Sequence, residues 1–332
     1  MLNSNPSRIA FSLSLTLGII IAVSSNSWFT SWLGLELNLL SFIPIISSSF
    51  NSYSSEAALK YFLIQALGSA ALLISATSMS VFLINPSLLI LSALLLKTGA
   101  APVHFWFPPI MQGVSWPQCI MLMTVQKIAP LFLLSYAIVS PITSATTIVC
   151  SAASALVGAI GGLNQTLLRK ILAYSSINHM AWLLGAALIS SNMLFTYLFI
   201  YSVVSSSVVL LLNSNQIFHF KQLSSIPDTK TKTLSFMVLF SLGGLPPFLG
   251  FIPKLLVINF LSSMSELLWI FILLSSSLIT LFYYTRIILT ALTLSSPKLK
   301  QLLTETPSLP LYILSFINFS PLLFPLMSFY QF

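Results

Sequence analysis

Charged residues are scarce in this sequence, and their scarcity excludes a water-soluble fold. Only 5% of the 332 residues are Asp, Glu, Lys or Arg, whereas a typical soluble domain carries about 25%. The apolar runs are long and rich in Leu, Ile and Ala, unlike the short alternating segments of a membrane β-barrel. The sequence therefore predicts an all-α polytopic membrane protein.

Other absences limit the chemistry of the chain. The two cysteines lie in apolar segments without metal-ligand spacing, and the sequence has no GxGxxG after a strand, no CxxC and no nucleophile triad. We therefore expect no metal, no cofactor-binding residue and no redox centre here. The start lacks an Arg-rich transit peptide. The net charge of +8 suits basic loops at a membrane better than nucleic acid, because the cations are not clustered with aromatics on a polar surface.

Long apolar runs divide the chain into eleven predicted membrane-spanning helices, since one span needs about 20 mostly apolar residues. The predicted spans are 8–25, 28–49, 57–80, 87–107, 115–139, 142–163, 169–189, 193–213, 234–258, 265–290 and 309–330.

The cations support this division because they fall on one side of the membrane. With the N-terminus on side A, ten of the 13 basic residues lie in or next to side-A segments, and none lies on side B: Arg8, Lys60, Arg169, Lys170, Lys221, Lys230, Lys232, Arg286, Lys298 and Lys300. By the positive-inside rule, side A faces the compartment from which the chain inserts.

Glycine and proline interrupt the fourth and ninth predicted helices. The first interruption holds Gly99 and Pro102, and the second is the run 243–247. They are five helices apart, and because five is odd, the second five-helix unit would be inverted relative to the first. Paired interruptions of this kind point to a transporter pathway, although Gly and Pro are also common in ordinary membrane helices. We expect a single domain with repeats 1–139 and 140–292, followed by a loop and C-terminal helix in 293–332.

Three charged residues fall near the middle of the bilayer. At about 1.5 Å per helical residue, Glu36 lies about 12 Å from side B, Lys97 about 15 Å from side A and Lys127 about 18 Å from side B. In a core about 30 Å thick, these depths are within a few ångströms of the same level. An isolated charge at the centre costs about 2.5–3.5 kcal/mol. We therefore expect Glu36 to pair with Lys97, and hydration to reach Lys127.

Further titratable residues are candidates for the same path. Lys254 follows the second interruption and would lie deep only if that break holds it there; alternatively it extends, or snorkels, to the side-B surface. His104 and His179 are candidate proton relays because imidazole titrates near neutral pH. Alternatively, each histidine is an interior residue whose hydrogen bonds are satisfied.

Several motifs together resemble the antiporter-like membrane subunits of respiratory complex I. The matching segments are WLGLELN (32–38), EAALKYF (56–62), KTGAAPVHFW (97–106), QKIAP (126–130), GGLNQT (161–166), LRKILAYSSI (168–177), SLGGLPP (241–247) and GFIPK (250–254). The resemblance spans nearly the whole chain in order. It implies inverted five-helix repeats and an animal form that lacks three N-terminal helices of bacterial relatives. It also places the functional charges at Glu36, Lys97, Lys127 and Lys254.

The resemblance also implies a location and partners. It implies the mitochondrial inner membrane, with side A and the N-terminus facing the matrix and the C-terminus facing the intermembrane space. The expected neighbours are subunits 4L and 4, supernumerary subunits and membrane lipids. NADH, FMN, the iron–sulfur clusters and ubiquinone would be bound by other subunits.

Three functional hypotheses follow. In the first, the chain carries protons through its mid-membrane charges, driven by redox chemistry on other subunits of NADH:ubiquinone oxidoreductase. In the second it is a stand-alone cation/proton antiporter, although it lacks a paired-aspartate ion site. In the third it is a structural spacer whose buried charges only lock helices together.

Overall fold

The chain folds into a bundle of α-helices. The computed structural model describes residues 6–47, 51–82, 86–226, 229–293 and 318. In these ranges the helices are α1 Pro6–Ser24, α2 Trp28–Ser47, α3 Ser52–Phe82, α4 Ser87–Thr98, α5 Phe107–Gly113, α6 Trp116–Met123, α7 Val125–Ala137, α8 Pro141–Leu163, α9 Leu168–Ile189, α10 Ser191–Ser214, α11 Thr229–Gly243, α12 Phe251–Ser263 and α13 Leu267–Thr293, with one 3₁₀-helix, Phe220–Ser225.

Eight of the segments described are long and apolar enough to cross a membrane. This confirms the predicted all-α polytopic class. Each of the first ten predicted spans overlaps at least one of these helices, whereas α5 lies almost entirely between the fourth and fifth spans. The eleventh span, 309–330, lies outside the described residues except for Asn318. The predicted bounds are too narrow for α3 and α11, each of which begins five residues earlier, at Ser52 and Thr229. These helices begin with polar residues that an apolar-run criterion leaves out.

Both predicted interruptions are present, and each begins at a left-handed glycine. α4 ends at Thr98, followed by Gly99 at φ 74°, and α5 begins only at Phe107. α11 ends at Gly243, followed by Gly244 at φ 82°, and α12 begins at Phe251. Because a side chain disfavours this backbone conformation, glycine allows each helix to end inside the bundle.

A third interruption was not predicted. The span 115–139 was expected to be continuous, but its helix stops at Met123 and restarts at Val125, with Thr124 at φ −114° and ψ −71°. Pro130 lies inside α7 and has no N–H to donate to the carbonyl four residues earlier, so this helix is already weakened near the break. The interruption places Lys127 in the first turn of α7, with its N–H bonded to the Thr124 carbonyl at 3.1 Å.

Close glycine contacts bring the helices together around α7 and α9. A Cβ on Gly34 of α2 would lie 2.6 Å from the Ala22 nitrogen of α1, and one on Gly158 of α8 would lie 2.5 Å from the Asn178 nitrogen of α9. α9 is the most deeply enclosed of the long spans. α7 packs against α1, α2, α4, α6, α9 and α10. Lys127 on α7 and His179 on α9 therefore face protein rather than lipid.

Candidate functional site: a buried row of cations

Lys97 lies in the last turn of α4, directly before the first break. It is 6% exposed. The Gln65 amide of α3 donates to the Lys97 carbonyl at 3.2 Å, and the Trp106 indole donates to the Leu96 carbonyl at 3.1 Å. The Lys97 carbonyl thereby gains a donor that the interrupted helix does not supply, and the Leu96 carbonyl gains a second donor beside the Gly99 N–H. The end of α4 and its lysine are therefore fixed in place.

Glu36 does not form the direct ion pair with Lys97 that was expected. Among the described residues the one ion pair within 4.0 Å joins Glu56 and Lys60 on the surface of α3. α3 packs against both α2 and α4, and its Gly68 lies so close that a Cβ there would be 3.1 Å from Lys97 Cγ. Glu36 therefore acts on Lys97 only through its charge, from a distance.

The Glu36 carboxylate is nevertheless partly enclosed. Its Oε2 atom is buried and has no hydrogen-bond partner within the described part of the chain. A buried polar oxygen without a protein partner is normally hydrated. Glu36 Oε2 is thus able to accept a hydrogen bond from water.

A cavity of about 20 Å³ lies between Lys97 and Lys127, and both residues line it. This volume is enough for one water molecule. Several polar side chains face the same cavity, namely Asn38, Tyr61, Gln65, Thr98 and Gln126. The Tyr61 hydroxyl donates to Gln126 Oε1 at 3.2 Å, whereas Asn38 Oδ1 and Gln126 Nε2 are buried without a partner in the described ranges. The cavity therefore offers both a donor and an acceptor to a water molecule.

Lys127 is held on the other side of this cavity by a carbonyl and two aromatic rings. It is 3% exposed, and its Nζ donates to the Ser176 carbonyl of α9 at 3.3 Å. The same Nζ lies 5.1 Å from the centre of the Phe107 ring and 5.5 Å from that of Tyr201. Cation–π contact of this kind stabilises a desolvated ammonium.

His179 on α9 follows Lys127 of α7 in the row that begins with Lys97 on α4. Its Nδ1 shares a 3.1 Å hydrogen bond with the Tyr197 hydroxyl, and its ring centre is 4.9 Å from that of Tyr201, the ring that also contacts Lys127. The charges of Lys127 and Lys254 both act on this imidazole. A second cavity of about 10 Å³ lies beside it and extends to the break after α11.

Lys254 completes the row at the second break. It is 5% exposed, its Nζ donates to the Gly243 carbonyl at 2.9 Å, and it lies 5.9 Å from the centre of the buried Trp182 ring. The ammonium thus sits at the C-terminal, partially negative end of α11. This burial contradicts the alternative in which Lys254 extends to the side-B surface.

His104 lies within the first break, and its described contacts remain local. Its Nδ1 bonds to the Pro102 carbonyl at 3.2 Å, and its ring is 4.3 Å from that of Phe105. The role of His104 as a relay stays a prediction.

Sequence reasoning missed the groups that link one cation to the next. Gln126 and Tyr201 bridge Lys97, Lys127 and His179, and Trp182 packs under Lys254. Gln126 could have been noticed beside Lys127 as a second polar residue in an apolar helix. Tyr201 and Trp182 look like ordinary core aromatics, because nothing in their local sequence marks a partner on another helix.

The sequence of the chain is similar to known membrane proteins. The chain matches the family described as "NADH:quinone oxidoreductase/Mrp antiporter, TM" over residues 25–83 and 79–280. It is 47% identical over 289 residues to NADH-ubiquinone oxidoreductase chain 2 of Anopheles gambiae, covering 83% of both chains. It is 39% identical to the protein of that name from Locusta migratoria, covering 92% of this chain and 94% of the relative.

Two solved structures share the fold at low sequence identity. A chain of respiratory complex I from Thermus thermophilus with bound aureothin aligns with a TM-score of 0.84 at 22% identity, over 97% of this chain and 79% of that one. A chain of the Mrp complex from Dietzia sp. DQ12-45-1b aligns with a TM-score of 0.77 at 20% identity, over 87% and 61% of the two chains.

Proposed function

Because the chain belongs to the NADH:quinone oxidoreductase/Mrp antiporter membrane family, we propose that it is a core membrane-arm subunit of a proton-translocating NADH:ubiquinone oxidoreductase. Its relatives carry the name of that enzyme. In this assignment NADH, FMN, iron–sulfur clusters and ubiquinone are bound by other subunits, and this chain contributes the proton path.

The observation that carries the proposal is the buried row itself. Lys97 and Lys127 share one cavity, and Tyr201 contacts both Lys127 and His179. The cavity beside His179 is also lined by Pro253, the residue directly before Lys254. Charged residues inside a membrane are costly and mark ion pathways. Within the row, a proton moves between neighbouring groups through a water or an aromatic hydroxyl.

Glu36 would control the first step. A carboxylate near an ammonium favours the charged form of that ammonium. When Glu36 takes up a proton, Lys97 therefore becomes a better proton donor toward the shared cavity. Redox energy released on other subunits would act by changing the charge on, or the distance to, Glu36.

The remaining features of the assignment concern architecture and location. We infer eleven spanning helices, two inverted five-helix repeats and one C-terminal helix. The paired breaks at Gly99 and Gly244 support this repeat. The location would be the mitochondrial inner membrane, with the N-terminus in the matrix and the C-terminus in the intermembrane space. Subunits 4L and 4, supernumerary subunits and lipids would surround the chain.

Alanine substitution of the row tests the function. In the intact enzyme reconstituted in liposomes, Lys97→Ala and Lys127→Ala should each lower coupled quinone reduction and proton pumping. Lys60→Ala is the control, because Lys60 is an exposed lysine paired with Glu56. Full pumping in both buried variants would overturn the assignment.

A stand-alone antiporter is the second candidate, because the family that the chain matches also includes Mrp antiporters. It predicts cation/proton exchange by the purified chain alone in liposomes. The membrane-arm assignment predicts no exchange by the isolated chain and pumping only in the assembled enzyme.

A further inference from the structure

Asn318 is a polar residue in the middle of an apolar segment. The predicted span 309–330 places it nine residues from one end and twelve from the other, or roughly 14–18 Å into the membrane. The residue is fully buried. A buried amide in an apolar medium is costly unless it is hydrogen-bonded, so the partners of Asn318 indicate what it does there.

The side chain of Asn318 joins two helices at the second break. Its Nδ2 donates to Ser207 Oγ of α10 at 3.0 Å. Its Oδ1 accepts a longer bond of 3.3 Å from Ser241 Oγ of α11, whose hydroxyl proton is shared with the Val238 carbonyl at 2.7 Å. Its backbone carbonyl accepts from the Leu249 N–H at 3.2 Å. Asn318 therefore contacts both the last turn of α11 and the linker that leads to α12.

These contacts lie beside the seat of Lys254. Ser241 is two residues before Gly243, whose carbonyl accepts the Lys254 ammonium. Gly250, at the far end of the linker, packs so tightly on the Ser241 carbonyl that no side chain fits there. Ser241 and Gly250 also line the cavity that reaches His179. A shift of Ser241 would therefore move the Gly243 carbonyl and change the shape of this cavity.

We propose that Asn318 is a positioning residue that holds the break between α11 and α12 in the geometry that seats Lys254 beside the His179 cavity. The proposal rests on the proposed function, because it assigns Asn318 a role in the same proton path. Its amide bridges Ser207 and Ser241 across two helices. The link ties the C-terminal part of the chain to the broken helix. Asn318 would act on Lys254 through the geometry of this break.

The test replaces the amide by an apolar side chain of similar size. Asn318→Leu removes the side-chain hydrogen bonds to Ser207 and Ser241 but retains the backbone bond to Leu249. In the intact enzyme in liposomes we expect at least a two-fold loss of protons pumped per electron, together with a shifted pH profile of pumping. Asn318→Gln, which keeps an amide, should restore part of the pumping. Asn259→Leu is the matched control, since Asn259 is exposed on α12.

Lys254→Met, measured in the same series, separates this inference from the proposed function. If Lys254→Met pumps normally, the proton path through Lys254 is wrong and the inference falls with it. If Lys254→Met fails to pump while Asn318→Leu matches the Asn259→Leu control, only the positioning role is refuted. Equal loss of pumping in Asn318→Leu and Asn318→Gln, with an unshifted pH profile, would also refute it.

If Asn318→Leu fails to assemble, Ser207→Ala and Ser241→Ala decide the question. Each removes one hydroxyl partner of the amide and keeps every titratable group of the site. Reduced pumping per assembled enzyme in both supports the positioning role, and unchanged pumping in both refutes it.

Discussion

Replacing Lys127 by methionine separates a proton-carrying role from a purely structural one. The substitution keeps a long flexible side chain and removes the ammonium that donates to Ser176 and lies over Phe107 and Tyr201. A structural spacer would lose stability and assembly without this charge, whereas a proton carrier would lose transport.

The structure gives the size of the stability change. A hydrogen bond from a charged group contributes about 1.5–3 kcal/mol. The two cation–π contacts, at 5.1 and 5.5 Å, are close to the outer limit of about 6 Å and contribute about 0.5–1 kcal/mol each. Together they stabilise the ammonium by about 2.5–5 kcal/mol, whereas placing a lysine at the membrane centre costs about 2.5–3.5 kcal/mol. These opposing effects nearly cancel. We therefore expect Lys127→Met to change stability by less than about 2.5 kcal/mol.

The assay measures assembly and transport on the same preparation. Blue-native electrophoresis and thermal melting report the amount and stability of the assembled enzyme, and a pH-sensitive dye in liposomes reports protons pumped per electron. We expect near-normal assembly with strongly reduced pumping. The opposite result, poor assembly with normal pumping per assembled enzyme, would refute the proton-carrying role and support the structural spacer.

Two further substitutions test the relay and the helix packing. His179→Phe keeps an aromatic ring between Tyr197 and Tyr201 but cannot hold a proton. It should therefore reduce pumping in the liposome assay more than Tyr197→Phe, which leaves the imidazole in place. Equal pumping in both variants would assign His179 to packing. Gly158→Ala brings a Cβ to within 2.5 Å of the α9 backbone and should destabilise the chain by about 1–3 kcal/mol in thermal melting. Gly185→Ala makes only ordinary contacts at 3.5 Å and should leave the melting temperature almost unchanged. Equal melting temperatures for Gly158→Ala and Gly185→Ala would contradict the close packing of α8 on α9.

Residues whose placement inside a membrane costs free energy were the easiest to predict from the sequence. A lysine in an apolar run or a glycine–proline cluster inside a helix is expensive at membrane depth, so Lys97, Lys127 and the two breaks could be predicted from local sequence. The burial of Lys97 and Lys127 is confirmed. The catalytic roles of Glu36, Lys97, Lys127 and Lys254 stay predictions that the proposed experiments address.

Sequence reasoning failed where the answer depends on which helices are neighbours. The direct pair between Glu36 and Lys97 is wrong because equal depth does not imply contact, and α3 packs against both of their helices. The break at Thr124 was missed because Thr124 is neither glycine nor proline. The contacts of Tyr201 depend on α7 and α9 meeting α10, which no pattern within one helix can show.

The left-handed turn at Gly244 limits which substitutions the chain can tolerate at a position that carries no charge. A methyl group on Gly244 would lie 2.8 Å from the Lys254 nitrogen, in a conformation that L-amino acids already resist. Even alanine would therefore compete with the ammonium for one small volume. A gene carrying that single change would still encode every titratable group, yet the Lys254 ammonium would have to shift from its place on the Gly243 carbonyl.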